Sequence, residues 1–141
     1  MPFTLVLLVA RKPGLSLSAF KHHWEAKHLP LLKSLVGLDF PLSHTRHYLD
    51  RDPELAMTPA NILFGTQEDF NFDAIAVFTF IDRAHWERFW EKVSRKEAKQ
   101  LLTEDDEKFQ DKEKLKAVFI GDTKATGRDG GAVGWRFVGS V

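Results

Sequence analysis

The chain reads as an α+β domain, with elements in the order strand, helix, strand, strand, helix, strand; this is the ferredoxin-like βαββαβ pattern with an antiparallel four-stranded sheet. Two runs, 3–10 (FTLVLLVA) and 72–81 (FDAIAVFTFI), are apolar on both parities, which predicts strands covered on both faces. Two segments, opening at Leu17 and after Asp82, instead space their large apolar residues three and four apart, as amphipathic helices do. Two helices can cover only one face of such a sheet. The other face must be buried too, and packing two sheets across a two-fold axis is the least costly solution, so a homodimeric α+β barrel is expected.

The first strand ends in the turn chemistry of Arg11, Lys12, Pro13 and Gly14. In the helix 17–35, Leu17, Phe20, Trp24, Leu31 and Leu35 form the buried stripe, and Ser16 or Ser18 caps the start. Glu25 falls on the solvated side with Lys21 and His22, whereas His28, at ~100° per residue, shares the apolar face with Trp24 and Leu31. Pro30 lacks an amide proton and biases Leu29 away from helical geometry, predicting a break or kink directly after His28 and room for a cavity beside it. The helix stops near Gly37. The second strand, 40–49, sets Phe40, Leu42, His44, Arg46 and Tyr48 on one face and Ser43, Thr45, His47 and Leu49 on the other. Residues 50–71, with Pro53, Pro59, Asn61 and Gly65, lack a clean period and form a long loop of the kind that serves as a lid or stays disordered.

After the third strand, Asp82 caps a helix with Trp86, Phe89, Trp90 and Val93 inward. The run EAKQLLTEDDEKF extends it through another turn or a break near Thr103, with Leu101, Leu102 and Phe109 as anchors and the charges on a solvated face. The fourth strand is 115–123. Residues 1–124 make the domain. Residues 125–141 are a Gly-rich tail whose apolar Trp135, Phe137 and Val138 need a cover on their own or a partner subunit.

Composition narrows the function. Twenty basic residues balance twenty acidic ones, leaving no field to draw nucleic acid or anionic lipid. The chain has no cysteine, which removes disulfides and thiolate zinc sites and fits a reducing cytoplasm. The apolar amino terminus is too short to span a bilayer and lacks the basic start and cleavage site of a signal peptide, so no membrane partner is expected. Twelve Phe and four Trp suit a large core, an apolar pocket or a subunit interface.

The opening RKPGLSLSAFKHHWEAKHLPLL resembles the signature of the EthD family, in which a strand ending in R-K-P-G-L-S leads to a helix bearing W and then H-x-P-L. FDAIAVFTF and TEDDEKFQDKEKLKAVFIGD resemble that family's third strand and the acidic segment before its last strand. The matches span most of residues 5–123. The resemblance implies the same dimeric α+β barrel, and a pocket position for His28. It also implies a functional range: members occur in ether-degradation gene sets, and fungal members resemble cofactor-free decarboxylases, dehydratases or cyclases of aromatic polyketide pathways. The segment 40–49, the loop 50–71 and the tail carry no such match.

His28 is the leading candidate for chemistry, as a general acid or base, against the bland alternative of a core histidine satisfied by a freed backbone carbonyl. Tyr48, His44 and Arg46 share one strand face. If that face meets the helices, they line the cavity, and Arg46 could grip a carboxylate or polarise a carbonyl; if the parity is reversed, His47 replaces them. Asp73 and Asp122, at strand ends, could orient a histidine or simply cap and hydrate. Trp24, Phe78 and Phe80 are core or pocket wall. His22 and His85 read as surface residues.

No metal is expected: His23 and His28 are about 140° apart on a helix, and His44 and His47 point to opposite strand faces. No dinucleotide or phosphate-loop motif appears and no residue singles out haem, so no cofactor is expected. The reading is a cofactor-independent lyase, decarboxylase or dehydratase/cyclase, acting on an aromatic polyketide intermediate. Its rival is an accessory protein of an ether-degradation type pathway that binds a small apolar molecule without changing it.

Overall fold

A computed structural model describes residues 2–131. The strands β1 (Phe3–Val9), β2 (Ser43–Tyr48), β3 (Ala74–Phe80) and β4 (Lys116–Ile120) form one antiparallel sheet in the order β2-β3-β1-β4. The helices α1 (Leu17–His23), α2 (Leu29–Val36), α3 (Arg83–Ser94) and α4 (Lys96–Phe109) are joined to it by the crossovers that the ferredoxin-like order requires. The register opposes Leu5 to both Phe78 and Phe119, and Phe78 to His44. Leu5, Val9, Phe78 and Phe80 therefore share a face, and they pack with Phe20, Trp24, Phe89 and Phe109 into one core. The opposite face carries Val6, Leu8, Ile75, Val77, Val118 and Ile120, of which Val118 and Ile120 are exposed.

The first helix does not break at Pro30. A π turn, Trp24–His28, joins α1 to α2, and Leu29 keeps helical angles of φ −61° and ψ −47° with its N–H donating to the Trp24 carbonyl, five residues back. The wider turn takes in one extra residue and so relieves the ring–carbonyl clash that a proline imposes on a regular α-helix. It also moves the buried stripe: Leu32 and Val36 are buried, not the expected Leu31 and Leu35, which are half-buried. Ser16 is the cap, its side chain accepting from the Ala19 N–H at 3.1 Å.

Other expectations shift as well. The break in the second helical segment falls at Arg95, which is extended at ψ 145°, so Thr103 lies inside α4. His85 is buried, not on the surface. Its Nδ1 accepts the Ile81 N–H at 3.0 Å, and its Nε2 lies 3.0 Å from the Asp39 carbonyl, tying the start of α3 to the end of the first helical layer. The loop 50–71 is held by Arg51, which donates to the carbonyls of Thr58, Phe70 and Phe72. It borders clefts beside Arg11 and Tyr48, away from His28, and its Met57 and Thr58 have positive φ of 66° and 40°. The docking expected of Trp135, Phe137 and Val138 lies outside the described residues. Among the described residues no helix is long and apolar enough to cross a membrane.

Candidate active site

Between the helices and the sheet lies a hollow of about 190 Å³, walled by Leu5 and Phe78 of the sheet and by Trp24, Leu32, Trp86 and Phe109 of the helices. Apart from its indoles, the polar side chains on this wall are His28, His44, Asp106 and Gln110. A mostly apolar hollow with a few convergent polar groups has the makings of a small-molecule site.

His28 closes the π turn. Its Nδ1 lies 2.8 Å from Asp105 Oδ2, and the other oxygen of that carboxylate lies 3.0 Å from His23 Nε2. An ionised carboxylate only accepts, so it holds the proton of a neutral His28 on Nδ1 and leaves the Nε2 lone pair free. Both imidazoles lean on Phe109, with ring centroids 4.9 Å and 5.0 Å away. Asp106 Oδ1 is 3.8 Å from His28 Nδ1 and accepts from Gln110 Nε2 at 2.9 Å. Burial raises the pKa of Asp106 against the opposing pull of His28 and Lys112.

His44 stands on the opposite wall, its ring centroid 3.9 Å from that of Phe78. Arg46 Nη1 lies 3.1 Å from its Nδ1 and donates to its carbonyl at 2.7 Å. Burial first, then the charges of Arg46 and His28, push its pKa down to about 3, so the ring is neutral at physiological pH. Arg46 does not reach the hollow. It makes a two-pronged bond to Glu25 at 2.6 Å and 3.0 Å, and Tyr48 donates its phenol to the same carboxylate at 2.6 Å. Burial opposes the charge on Glu25, but the hydrogen bonds from Arg46 and Tyr48 outweigh it and hold its carboxyl below the usual range. Burial and the Glu25 bond push the Tyr48 phenol up, which removes it as a proton source near neutrality.

The face of β2 bearing His44, Arg46 and Tyr48 thus meets the helices, and His47 lies on the opposite face, across from Ile75. Of the expected residues, the hollow brings together His28, His44, Trp24 and Phe78. Phe80 is fully buried core. Asp73 orients no histidine: it accepts the Arg11 N–H at 2.8 Å and pairs with Arg51 Nε at 2.9 Å. Asp122 is exposed beside Lys124, because the fourth strand ends at Ile120, short of the expected 123. Glu25, expected to face water alone, bonds to β2.

The EthD domain profile matches residues 12–113 of the sequence. The chain belongs to the EthD domain family. The fold is similar to that of an EthD family protein of Bacillus halodurans C-125, with 16% identity over 86% of this chain and 99% of that chain at a TM-score of 0.50. It is also similar to an EthD-like protein of Ralstonia eutropha JMP134, with 13% identity over 84% and 87% of the two chains at a TM-score of 0.51. No curated protein matches the sequence.

In this EthD domain the residues that orient the histidines were hidden by their charge. Asp105 and Asp106 sit in a run of acidic residues that reads as a solvated face, yet Asp105 is buried. The usable signal is spacing: Asp105 and Asp106 fall between the inward anchors Leu102 and Phe109, at three- and four-residue steps on the apolar stripe. Among the described residues no group of three or more His, Cys, Asp or Glu is arranged to hold a metal ion.

Proposed function

We propose that this EthD domain is a cofactor-independent lyase acting on an aromatic polyketide intermediate, as a decarboxylase or a dehydratase/cyclase, and that it works as a homodimer. The observation that carries the reading is the 2.8 Å contact between His28 Nδ1 and the buried Asp105, which turns the Nε2 of an imidazole on an apolar wall into a proton acceptor. In a dehydratase or cyclase, this nitrogen removes a proton next to a carbonyl. In a decarboxylase, the same ring, once protonated, delivers a proton to the carbon that loses carbon dioxide, within a hollow lined largely by apolar side chains. A second copy of the chain covers the far face of the sheet, where Val6, Leu8, Ile75 and Val77 would otherwise meet solvent.

The test is His28→Ala, assayed with 2-hydroxybenzoate for carbon dioxide release and with a β-hydroxyalkyl aryl ketone for water loss. Turnover should drop by about 10²–10⁴-fold, the range that a positioned acid or base supplies. Sedimentation should show the same dimer for both proteins. Undiminished turnover in the variant would remove the assignment.

A further inference from the structure

Taking His28 as the base, we infer that the substrate enters the hollow as an uncharged aryl ketone whose carbonyl oxygen is held by His44 Nε2–H, so that the reaction begins by enolisation and not by loss of carbon dioxide. The inference rests on the reading above and selects within it.

The two imidazoles on the wall are held by opposite kinds of partner. A guanidinium only donates, so Arg46 at 3.1 Å requires a bare Nδ1 on His44 and assigns the proton of the neutral ring to Nε2. A carboxylate only accepts, so Asp105 fixes the reverse tautomer on His28. The hollow therefore has a lone pair on one side and an N–H on the other. The burial that keeps His44 uncharged makes it a hydrogen-bond donor that cannot spend its proton as an acid, a role suited to a developing enolate oxygen.

The wall also discriminates by charge. Among the described residues that line it there is no Lys or Arg, while Asp106 is present. Arg46, the group that would have gripped a carboxylate, is committed to Glu25 through two bonds. A carboxylate guest would give up water to a largely apolar lining with no guanidinium or ammonium to pair with and with an acidic neighbour, whereas a ketone would lose little. The hollow, at about 190 Å³, somewhat exceeds the apolar cavity of about 150 Å³ that takes up benzene, and so suits one ring with a short acyl arm.

In the step, His28 Nε2 takes the proton from the carbon next to the carbonyl. The C–H pair becomes the enolate double bond, and the carbonyl oxygen gains the charge against His44 Nε2–H. Where a β-hydroxyl is present, the enolate re-forms the ketone, the β C–O bond breaks, and the leaving hydroxide takes the proton back from His28 as water. The enzyme returns to its starting state.

Acetophenone and benzoate, which differ at the acyl group, provide the probe pair. In D₂O the wild-type protein should accelerate exchange of the acetophenone methyl protons, and acetophenone, unlike benzoate, should shift the ring signals of both His28 and His44 in spectra of ¹⁵N-histidine protein. His44→Phe should slow the exchange at least tenfold. Arg46→Met, which keeps the ring, should convert His44 to a mixture of tautomers in its ¹⁵N shifts. Benzoate displacing acetophenone, or a wild-type His44 protonated on Nδ1, overturns the inference. His28-dependent carbon dioxide release from 2-hydroxybenzoate would overturn it while upholding the lyase reading. Exchange that persists in His28→Ala would end both.

Discussion

Asp73 and Asp105 are buried to the same degree, each 8% exposed, and each carboxylate holds two basic side chains. Asp73 joins Arg11 and Arg51, which also donate to the carbonyls of Leu15, Thr58, Phe70 and Phe72 and to the Thr58 hydroxyl. Both partners are guanidiniums that only donate, so Asp73 fastens the loop 50–71 to the end of β1. Asp105 joins two histidines, and its bond to His28 leaves one ring nitrogen of that residue for a guest. Equal burial and equal pairing thus fasten a loop in one place and orient an imidazole in the other. The partner, not the carboxylate, makes the difference.

The contrast can be broken most forcefully at Asp73. Asp73→Ala strands two largely buried guanidiniums and should cost about 3–5 kcal/mol in urea denaturation, with the ring signals of His28 unmoved. Asp105→Asn keeps the shape but places an amide donor against one imidazole; turnover should drop by about 10²-fold, or about 2.7 kcal/mol of barrier, with a smaller stability change than at Asp73. If Asp105→Asn were the more destabilising of the two and left turnover intact, the roles assigned here would be exchanged.

The smallest effect concerns the imidazole held by a guanidinium. His44 has a folded-state pKa of about 3 against an ordinary 6.5, so the unfolded chain binds the extra proton first on acidification. Its contribution to stability is complete above pH 6.5 and is lost progressively as pH falls toward 3. Between pH 7 and pH 5 the loss should reach at most about 2 kcal/mol in denaturant titrations, and His44→Phe should flatten that slope.

The order of elements was legible because strands and helices announce themselves by period. The apolar parities of 3–10 and 72–81 located the two central strands, and Asp82 and the Ser16/Ser18 pair marked the helix starts, with Ser16 the cap in the structure. His28 was legible as an ionisable ring on a stripe that had to pack. Its orienting group was not, because Asp105 stands 77 residues away within a charged run, and only tertiary packing brings the two together. Asp73 drew attention by its place at a strand end, but a sequence cannot tell which carboxylate will meet arginines and which histidines. The strand face of His44 could not be chosen from the sequence either, since both parities of 40–49 mix polar and apolar residues.

The π turn at Trp24–His28 makes chain length a determinant of where the His28 ring stands. Deleting one residue between Trp24 and His28 would restore a plain α-helix and leave the downstream register in place, whereas closing the turn with every residue kept would turn everything downstream by about 100°. Leu31 and Leu35 would then take the inward places held by Leu32 and Val36, and the imidazole would swing away from its carboxylate. The extra residue that the wide turn absorbs, invisible to any substitution scan, thus sets whether the His28 ring meets Asp105.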